Sequence, residues 1–218
     1  PGILGGDLVA VRRPPQGRNG EIVVARVEEE VAVKRYRQTG TTVTLQQALQ
    51  TSCNTAFGSL ALDLGDEKLR AMAEAFGFNQ EPTVDIAAAT SRFPAELDEA
   101  QTALSGIGQY DVAASPLQIV QVAAAIANDG VMMSPYLVNT VTSQDLTVLN
   151  SRTPEVIGQP ISASSAELLQ QMMVATVEDG TGRPAQTDGV VVGGKTGTAQ
   201  TAPDRPPYAW FVGYAEDP

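Results

Sequence analysis

The sequence predicts an α+β fold in which helices pack on an antiparallel sheet. Strand-like runs rich in valine and isoleucine lie near both ends of the 218-residue chain, at 7–11, 21–27, 31–36, 189–198 and 209–214. Between them, apolar side chains recur at helical spacing behind capping residues. Together these patterns favour an α+β domain over an all-helical or all-β one.

Residues 1–40 are predicted to form a β-hairpin segment of their own. Asn19-Gly20 is a turn signal, and Glu28-Glu29-Glu30 between two apolar runs predicts a second hairpin tip. This segment holds seven Lys/Arg and five Asp/Glu, whereas the remainder holds seven and twenty. The break suggests two segments of different origin, at 1–40 and 41–218, with a seam between 38 and 44.

Four helices are predicted from their caps. They begin after Thr44, Asp66, Ser115 and Ser164. The first ends at Ser52-Cys53-Asn54, and Gly77 closes the second in the position that favours a left-handed backbone. Pro116 supports the start of the third, and Glu167 completes a capping box with Ser164 for the fourth.

Composition excludes several chemistries. The chain has no histidine, which rules out Ser-His-Asp catalysis, Cys-His catalysis and any histidine-bearing zinc site within it. Its net charge of −11 disfavours non-specific binding to nucleic acid or anionic lipid. The single cysteine, Cys53, forbids an internal disulfide. We therefore expect no cofactor, no metal and no nucleic-acid partner.

The sequence offers no membrane segment. No apolar run approaches the roughly 20 residues that cross a bilayer, and no signal peptide precedes Pro1. Because the first residue is not methionine, we interpret the chain as an internal piece of a longer protein. The missing anchor therefore says little about the parent protein.

Gly189 to Thr196 fits the phosphate-binding pattern G-x-x-x-x-G-K-[ST] literally. In a true P-loop a helix begins at the Lys-Thr pair, so that backbone amides point at phosphate. Here three valines occupy the loop positions, and Gly197 and Pro203 follow where a helix should run. This context argues against phosphate binding.

The same stretch suits an edge strand that binds a peptide. Lys195, Thr196 and Thr198 offer a cation and two hydroxyls beside a backbone without a side chain at Gly197. A ligand lying along this strand would pair with its amides and present a carboxylate to the lysine and threonines. The alternative is a solvated strand lysine among glycines that form a bulge.

Ser52-Cys53-Asn54 gains significance from the downstream Lys195-Thr196-Gly197. The penicillin-recognising acyl-serine transferases combine Ser-x-x-Lys, Ser-x-Asn and Lys-Thr-Gly. The chain resembles the class B penicillin-binding proteins of that group, the peptidoglycan D,D-transpeptidases, over about 42–218. Further stretches are similar to that family at 105–109, 114–118, 125–130, 180–182 and 209–214.

The resemblance implies an acyl-transfer site for D-Ala-D-Ala stem peptides, in which β-lactams trap the serine. It makes Ser52, Asn54 and Lys195 catalytic and assigns substrate binding to Thr196, Gly197 and Thr198. Ser52 would belong to the proton-transfer network, and the Thr198 amide would donate to the oxyanion. If the resemblance is structural, the Ser52 hydroxyl should lie within roughly 3.5 Å of the Lys195 ammonium.

The nucleophile of that family is missing. No serine in the chain is followed three residues later by lysine, so Ser-x-x-Lys does not occur. In the family this motif lies upstream of Ser-x-Asn, in the stretch that residues 1–40 replace, and the last strand and helix beyond Pro218 are absent too. The sheet edges left exposed would favour self-association.

The replacing segment has a resemblance of its own. Residues 2–12, 19–27 and 33–36 are similar to the self-cleaving domain of LexA-type repressors, over about 1–38. That family uses a serine–lysine dyad; Lys34 stands where the lysine would be, and the serine would lie before Pro1. The alternative is an ordinary strand lysine beside Arg35, because a base lysine requires burial.

Three functions remain open on the sequence alone. The first is a transpeptidase domain at the extracytoplasmic face of the cell membrane, which acts on stem peptides and binds β-lactams. The second is a non-catalytic chimera that binds a peptide or a partner through the edge of the Lys-Thr-Gly strand. The third is a fragment of a cytoplasmic repressor.

Overall fold

In the computed structural model the chain divides into two compact units, Pro1–Val43 and Thr44–Pro218. The structure describes residues 22–27, 30–35, 43–199 and 205–216. The first unit contains strands β1 (Ile22–Val27) and β2 (Glu30–Arg35), which pair antiparallel. This hairpin confirms two expected strands, but Glu30 pairs with Val27 inside the ladder instead of forming the tip. The strand predicted at 7–11 and the turn at 19–20 lie outside the described residues.

The second unit supplies the helices. They are α1 (Leu45–Gln50), α2 (Asn54–Leu64), α3 (Asp66–Ala75), α4 (Glu99–Ser105), α5 (Pro116–Ala127) and α6 (Ala163–Asp179), followed by a 3₁₀ turn at Arg183–Ala185. Among the described residues, no helix has the length and hydropathy that a membrane span requires.

The strands of this unit form separate antiparallel pairs in the described chain. They are β3 (Met132–Met133) with β6 (Val156–Gly158), β4 (Thr140–Thr142) with β5 (Val148–Ser151), and β7 (Val192–Ala199) with β8 (Tyr208–Ala215). The β7–β8 pair is the longest and confirms both strands expected near the C-terminus. The mixture of helices and antiparallel strands confirms the predicted α+β class.

Side-chain caps fix where several helices begin. The Thr44 hydroxyl and the Gln47 side chain form a reciprocal capping box at α1, and the Ser115 hydroxyl accepts from the Gln118 amide at α5. Both starts agree with the sequence prediction. Asp98 caps α4 in the same way, although that helix was not predicted. Each such cap stabilises its helix by about 1 kcal/mol.

Two predicted caps are wrong. Ser162, two residues before Ser164, begins α6 by accepting the backbone N–H of Ser165 at 3.2 Å. Asp66 is the first residue inside α3 and not its cap, because Gly65 both ends α2 and precedes α3. The φ of Gly65 is +82°, a backbone conformation in which aspartate would be strained.

Helix α6 is the centre of the packing and contacts α1, α5 and β7. Its side chains at Ala166, Met173, Thr176 and Val177 are buried on one face, as the helical repeat requires. Buried alanines on α1, α2 and α5 allow the helices to approach closely. This close packing holds the ends of α1 and α6 beside β7, where the candidate site lies.

Candidate active site

The Ser52-Cys53-Asn54 motif is a tight link between two helices. Ser52 follows α1 with a φ of +53°, and its N–H donates to the Leu49 carbonyl at 3.2 Å. The Cys53 N–H donates to the Ala48 carbonyl at 2.9 Å, and α2 begins at Asn54. The link therefore holds its backbone through local hydrogen bonds and leaves the Ser52 side chain exposed.

Cys53 is the N-cap of α2. Its Sγ lies 3.3 Å from the Thr55 hydroxyl, and hydrogen bonds from that hydroxyl and from the Ala56 amide lower the pKa of the Cys53 thiol. The position at a helix N-terminus favours the thiolate in the same direction.

The glycines before Lys195 let aromatic rings lie across β7. A Cβ at Gly193 would overlap the ring of Tyr214, and one at Gly194 would overlap the ring of Phe211. The ladder from Val192 to Ala199 runs without a register shift. The glycines therefore serve close packing against β8, and the alternative of a bulge is wrong.

Lys195 meets Ser52 across 143 positions of sequence. The Lys195 Nζ donates to the Ser52 Oγ at 2.9 Å and to the Thr196 carbonyl at 2.8 Å. The predicted distance of less than about 3.5 Å is thus confirmed. The lysine is partly buried between these groups, and this desolvation lowers the pKa of its ammonium.

The edge of β7 opposite β8 presents backbone groups. The Thr196 carbonyl accepts from Lys195, and the Thr198 carbonyl accepts from the Gln109 Nε2 at 3.1 Å. Residues two apart in a strand direct their backbone groups to the same side, and the N–H of each residue points the same way as its C=O. These contacts indicate that the Thr196 and Thr198 amides also face the edge away from β8.

The turn at 180–182 connects the two motifs. The Thr181 N–H donates to the Gln50 carbonyl, at the end of α1, over a distance of 3.0 Å. The Thr181 Oγ1 lies 2.7 Å from the Thr196 Oγ1. Gly180 is required there, because an added Cβ would lie 2.6 Å from the Gln50 carbonyl oxygen. Thr181 is a site residue that the sequence analysis missed, although 180–182 was one of the similar stretches.

The remaining predicted site residues divide into two groups. Asn54 is exposed at the first turn of α2, and Gly197 and Thr198 are exposed on β7. Lys34 belongs to the other compact unit, where it lies opposite Val23 in the β1–β2 hairpin. The roles assigned to these residues stay predictions.

A Ser-x-Asn link held against a Lys-Thr-Gly strand is the arrangement expected of the penicillin-recognising acyl-transferase class. The sequence matches the penicillin binding protein transpeptidase domain over residues 24–218. The chain belongs to this family.

Curated relatives agree with this assignment. The chain is 43% identical over 185 residues to the peptidoglycan D,D-transpeptidase PbpA of Mycolicibacterium smegmatis, covering 82% of this chain and 38% of the relative. It therefore spans well under half of that protein. A shorter similarity, 47% identity over 66 residues and 30% of each chain, relates it to the LexA repressor of Idiomarina loihiensis.

Solved structures show the same fold. Penicillin-binding protein A from M. tuberculosis, in its ceftriaxone acyl-enzyme complex, superposes with a TM-score of 0.79 at 31% identity, over 92% of this chain and 48% of that one. The D,D-transpeptidase domain of a peptidoglycan glycosyltransferase from Eggerthella lenta gives a TM-score of 0.74 at 30% identity, over 89% and 50%.

Proposed function

We propose that this chain carries the substrate-binding part of a peptidoglycan D,D-transpeptidase site, which recognises stem peptides ending in D-Ala-D-Ala. The observation that carries the proposal is the 2.9 Å contact between Lys195 and Ser52. Two short motifs 143 positions apart meet only if the fold of the site is kept. The family resemblance also implies that this site acts at the extracytoplasmic face of the cell membrane, and that location is part of the same proposal.

The β7 edge supplies the binding surface. A peptide that lies along β7 adds one strand to the β7–β8 sheet and pairs with the outward amides of Thr196 and Thr198. Its terminal carboxylate then meets the threonine hydroxyls and the Lys195 ammonium, which form charge-assisted hydrogen bonds to it. The Thr181 hydroxyl orients the Thr196 hydroxyl through their 2.7 Å contact.

The chemistry of the family is an acyl transfer. A serine attacks the carbonyl of the penultimate D-Ala, the terminal D-Ala leaves with a proton, and the resulting ester passes its acyl group to an amine. In this scheme Ser52 relays the proton between the serine and the leaving amine, while Lys195 orients Ser52 through their hydrogen bond. The Thr198 amide stabilises the oxyanion, because its N–H faces the edge where the carbonyl lies.

Direct titration tests the binding surface. We expect a peptide ending in D-Ala-D-Ala to cause saturable amide shifts at Thr196 to Thr198 and at Ser52 in ¹H–¹⁵N NMR spectra. A peptide of the same composition ending in D-Ala-L-Ala is the control and should bind more weakly, because inversion of the last stereocentre prevents its methyl group and its carboxylate from both keeping their positions. Equal shifts with both peptides, or none with either, would contradict the proposal.

A second prediction concerns β-lactams. We expect no covalent adduct with benzylpenicillin, because no serine in the sequence has the partner lysine three residues on that activates the family nucleophile. Intact-mass spectrometry after incubation is the measurement. An increase equal to the mass of one drug molecule would show that another serine, such as Ser52, replaces the missing nucleophile.

The absence of Ser-x-x-Lys also favours a non-catalytic binding function for the chain by itself. Such a function requires that the stem peptide binds and that no serine is acylated. The NMR titration measures the binding, and the benzylpenicillin experiment measures the acylation. Self-association through exposed sheet edges and a role for Lys34 in self-cleavage stay predictions.

A further inference from the structure

Three aspartates in the chain are followed directly by glycine. The pairs are Asp129-Gly130, Asp179-Gly180 and Asp188-Gly189. In such a pair the backbone nitrogen of the glycine can attack the side-chain carboxyl carbon of the aspartate, because glycine has no Cβ to obstruct the approach. The two groups belong to neighbouring residues, so the reaction is intramolecular and depends on whether the backbone is free to bring them together.

The fold constrains two of these pairs. Gly130 is buried, and its N–H donates to the Ala125 carbonyl at 2.8 Å. The Gly180 backbone is enclosed, since an added Cβ would lie 2.6 Å from the Gln50 carbonyl oxygen and 2.7 Å from that of Thr176. Rotation of either glycine nitrogen toward the preceding carboxyl group would therefore disrupt contacts that the fold requires.

The third pair lies in an exposed turn that leads into β7. Asp188 and Gly189 are both exposed, and the Val190 N–H closes the turn by donating to the Thr187 carbonyl at 3.2 Å. Within the described chain no hydrogen bond engages the Gly189 N–H, and a Cβ on this residue would meet no atom within 4 Å. The nucleophile and the carboxyl group are therefore both accessible, and the open space permits the backbone to rotate.

We propose that Asp188 is a site of spontaneous isoaspartate formation. The Gly189 nitrogen bonds to the side-chain carboxyl carbon of Asp188, and the carboxyl hydroxyl leaves with the amide proton as one molecule of water. The product is a cyclic succinimide. Water then adds to one of its two carbonyls. Addition at the side-chain carbonyl restores aspartate, whereas addition at the main-chain carbonyl gives isoaspartate, in which the chain continues through the side-chain carbonyl.

The modification lengthens the main chain by one methylene group within the turn. The hydrogen bond between Thr187 and Val190 closes a ring of fixed size, so the added methylene should break it. Beyond the turn, the Val191 carbonyl accepts from the Glu216 N–H at 2.9 Å, and the β7–β8 ladder begins at Val192. These bonds should confine the change to the turn and leave the Ser52–Lys195 site as it is.

Peptide mapping of the aged chain tests the site. After prolonged incubation at mildly acidic pH, electron-transfer fragmentation of proteolytic peptides distinguishes isoaspartate from aspartate at each position. In the folded chain we expect isoaspartate to accumulate at Asp188 faster than at Asp129 or Asp179, by about tenfold or more, because folded structure suppresses the backbone rotation at the other two. The control is the same incubation in urea, in which the three pairs should react at similar rates.

Two outcomes would overturn the proposal. One is a rate at Asp129 or Asp179 that equals the rate at Asp188 in the folded chain. The other is a folded chain without isoaspartate at Asp188 under conditions in which the unfolded chain forms it. Either result would show that the exposed turn does not permit the rotation that the reaction needs.

Variants at the same position separate the chemistry from general ageing. Asp188→Glu keeps the charge and should abolish the modification, because its longer side chain must close a less favourable six-membered ring. Asp188→Asn loses ammonia instead of water and should reach the same succinimide faster. The position is exposed, so both variants should keep the thermal midpoint of the parent chain. Ageing that changes the amide signals of 187–191 equally in the parent and in Asp188→Glu would contradict the assignment, whatever the outcome of the stem-peptide titration.

Discussion

Replacement of Gly180 by alanine should lower the free energy of unfolding by about 1–3 kcal/mol, the usual cost of overpacking. The new Cβ would lie 2.6 Å from the Gln50 carbonyl oxygen and 2.7 Å from that of Thr176. Both are backbone atoms that no rotamer change can move. The φ of Gly180 is −126°, which alanine tolerates, so the cost arises from contact alone. Urea denaturation measures it.

The same substitution should also disturb the site. Relief of the clash pushes the end of α1 away from α6, which carries Ser52 away from Lys195 and exposes the lysine. Because burial lowers the pKa of Lys195, that pKa should rise toward its ordinary value of 10.5 in an NMR titration. Gly158→Ala is the matched control, since its Cβ would meet nothing within 4 Å. Equal effects of the two substitutions would refute the role of the 180–182 turn.

Replacement of Lys195 by alanine should weaken stem-peptide binding by about tenfold or more. A charge-assisted hydrogen bond contributes about 1.5–3 kcal/mol, and solvent access to this partly buried site places the loss near the lower end. The D-Ala-D-Ala titration measures it. Lys68→Ala removes the same charge from the exposed surface of α3 and should change the affinity less than twofold. A similar loss in both variants would indicate long-range electrostatics instead of a contact.

The pH dependence of binding provides an independent check. The terminal carboxylate binds the protonated lysine, so affinity should be constant near neutral pH and fall as the pH rises through the pKa of Lys195. Because that pKa is lowered by desolvation, the fall should begin below 10.5. Lys195→Arg keeps its charge to much higher pH and should remove the fall, even if the longer side chain weakens binding. An alkaline fall that persists in this variant would assign the titration to another group.

The elements with strong local signals were predictable from the sequence. The Thr44 cap places α1, and the Ser115-Pro116 start places α5. The Ser52–Lys195 contact was also predictable, because the family pattern specifies a meeting that no local propensity encodes. The fold class therefore followed from local sequence patterns, whereas the central pair of the site followed from the family resemblance.

Other parts carried no such signal. Helix α2 begins at Asn54 behind Cys53, a residue type that gives no capping signal in a sequence, and leucines at 60, 62 and 64 are exposed, so helical periodicity is weak. Strands β4 and β5 are short and exposed along their whole length, which removes the alternation that identifies a strand. Thr181 reaches Gln50 and Thr196 only through tertiary packing, so its place in the site was not visible before the fold was known.

The side chains that hold the β7 carbonyls have a consequence for solubility. A bare strand edge is a template on which any extended chain can add itself, and proteins commonly protect such edges. Here Lys195 and Gln109 already engage the acceptors at Thr196 and Thr198, so a neutral strand must displace both before it gains new bonds. A peptide with a terminal carboxylate compensates the lysine as it arrives, whereas an unrelated strand does not. Addition of an unrelated strand should therefore occur at the outer edge of β8, which pairs with no other strand among the described residues.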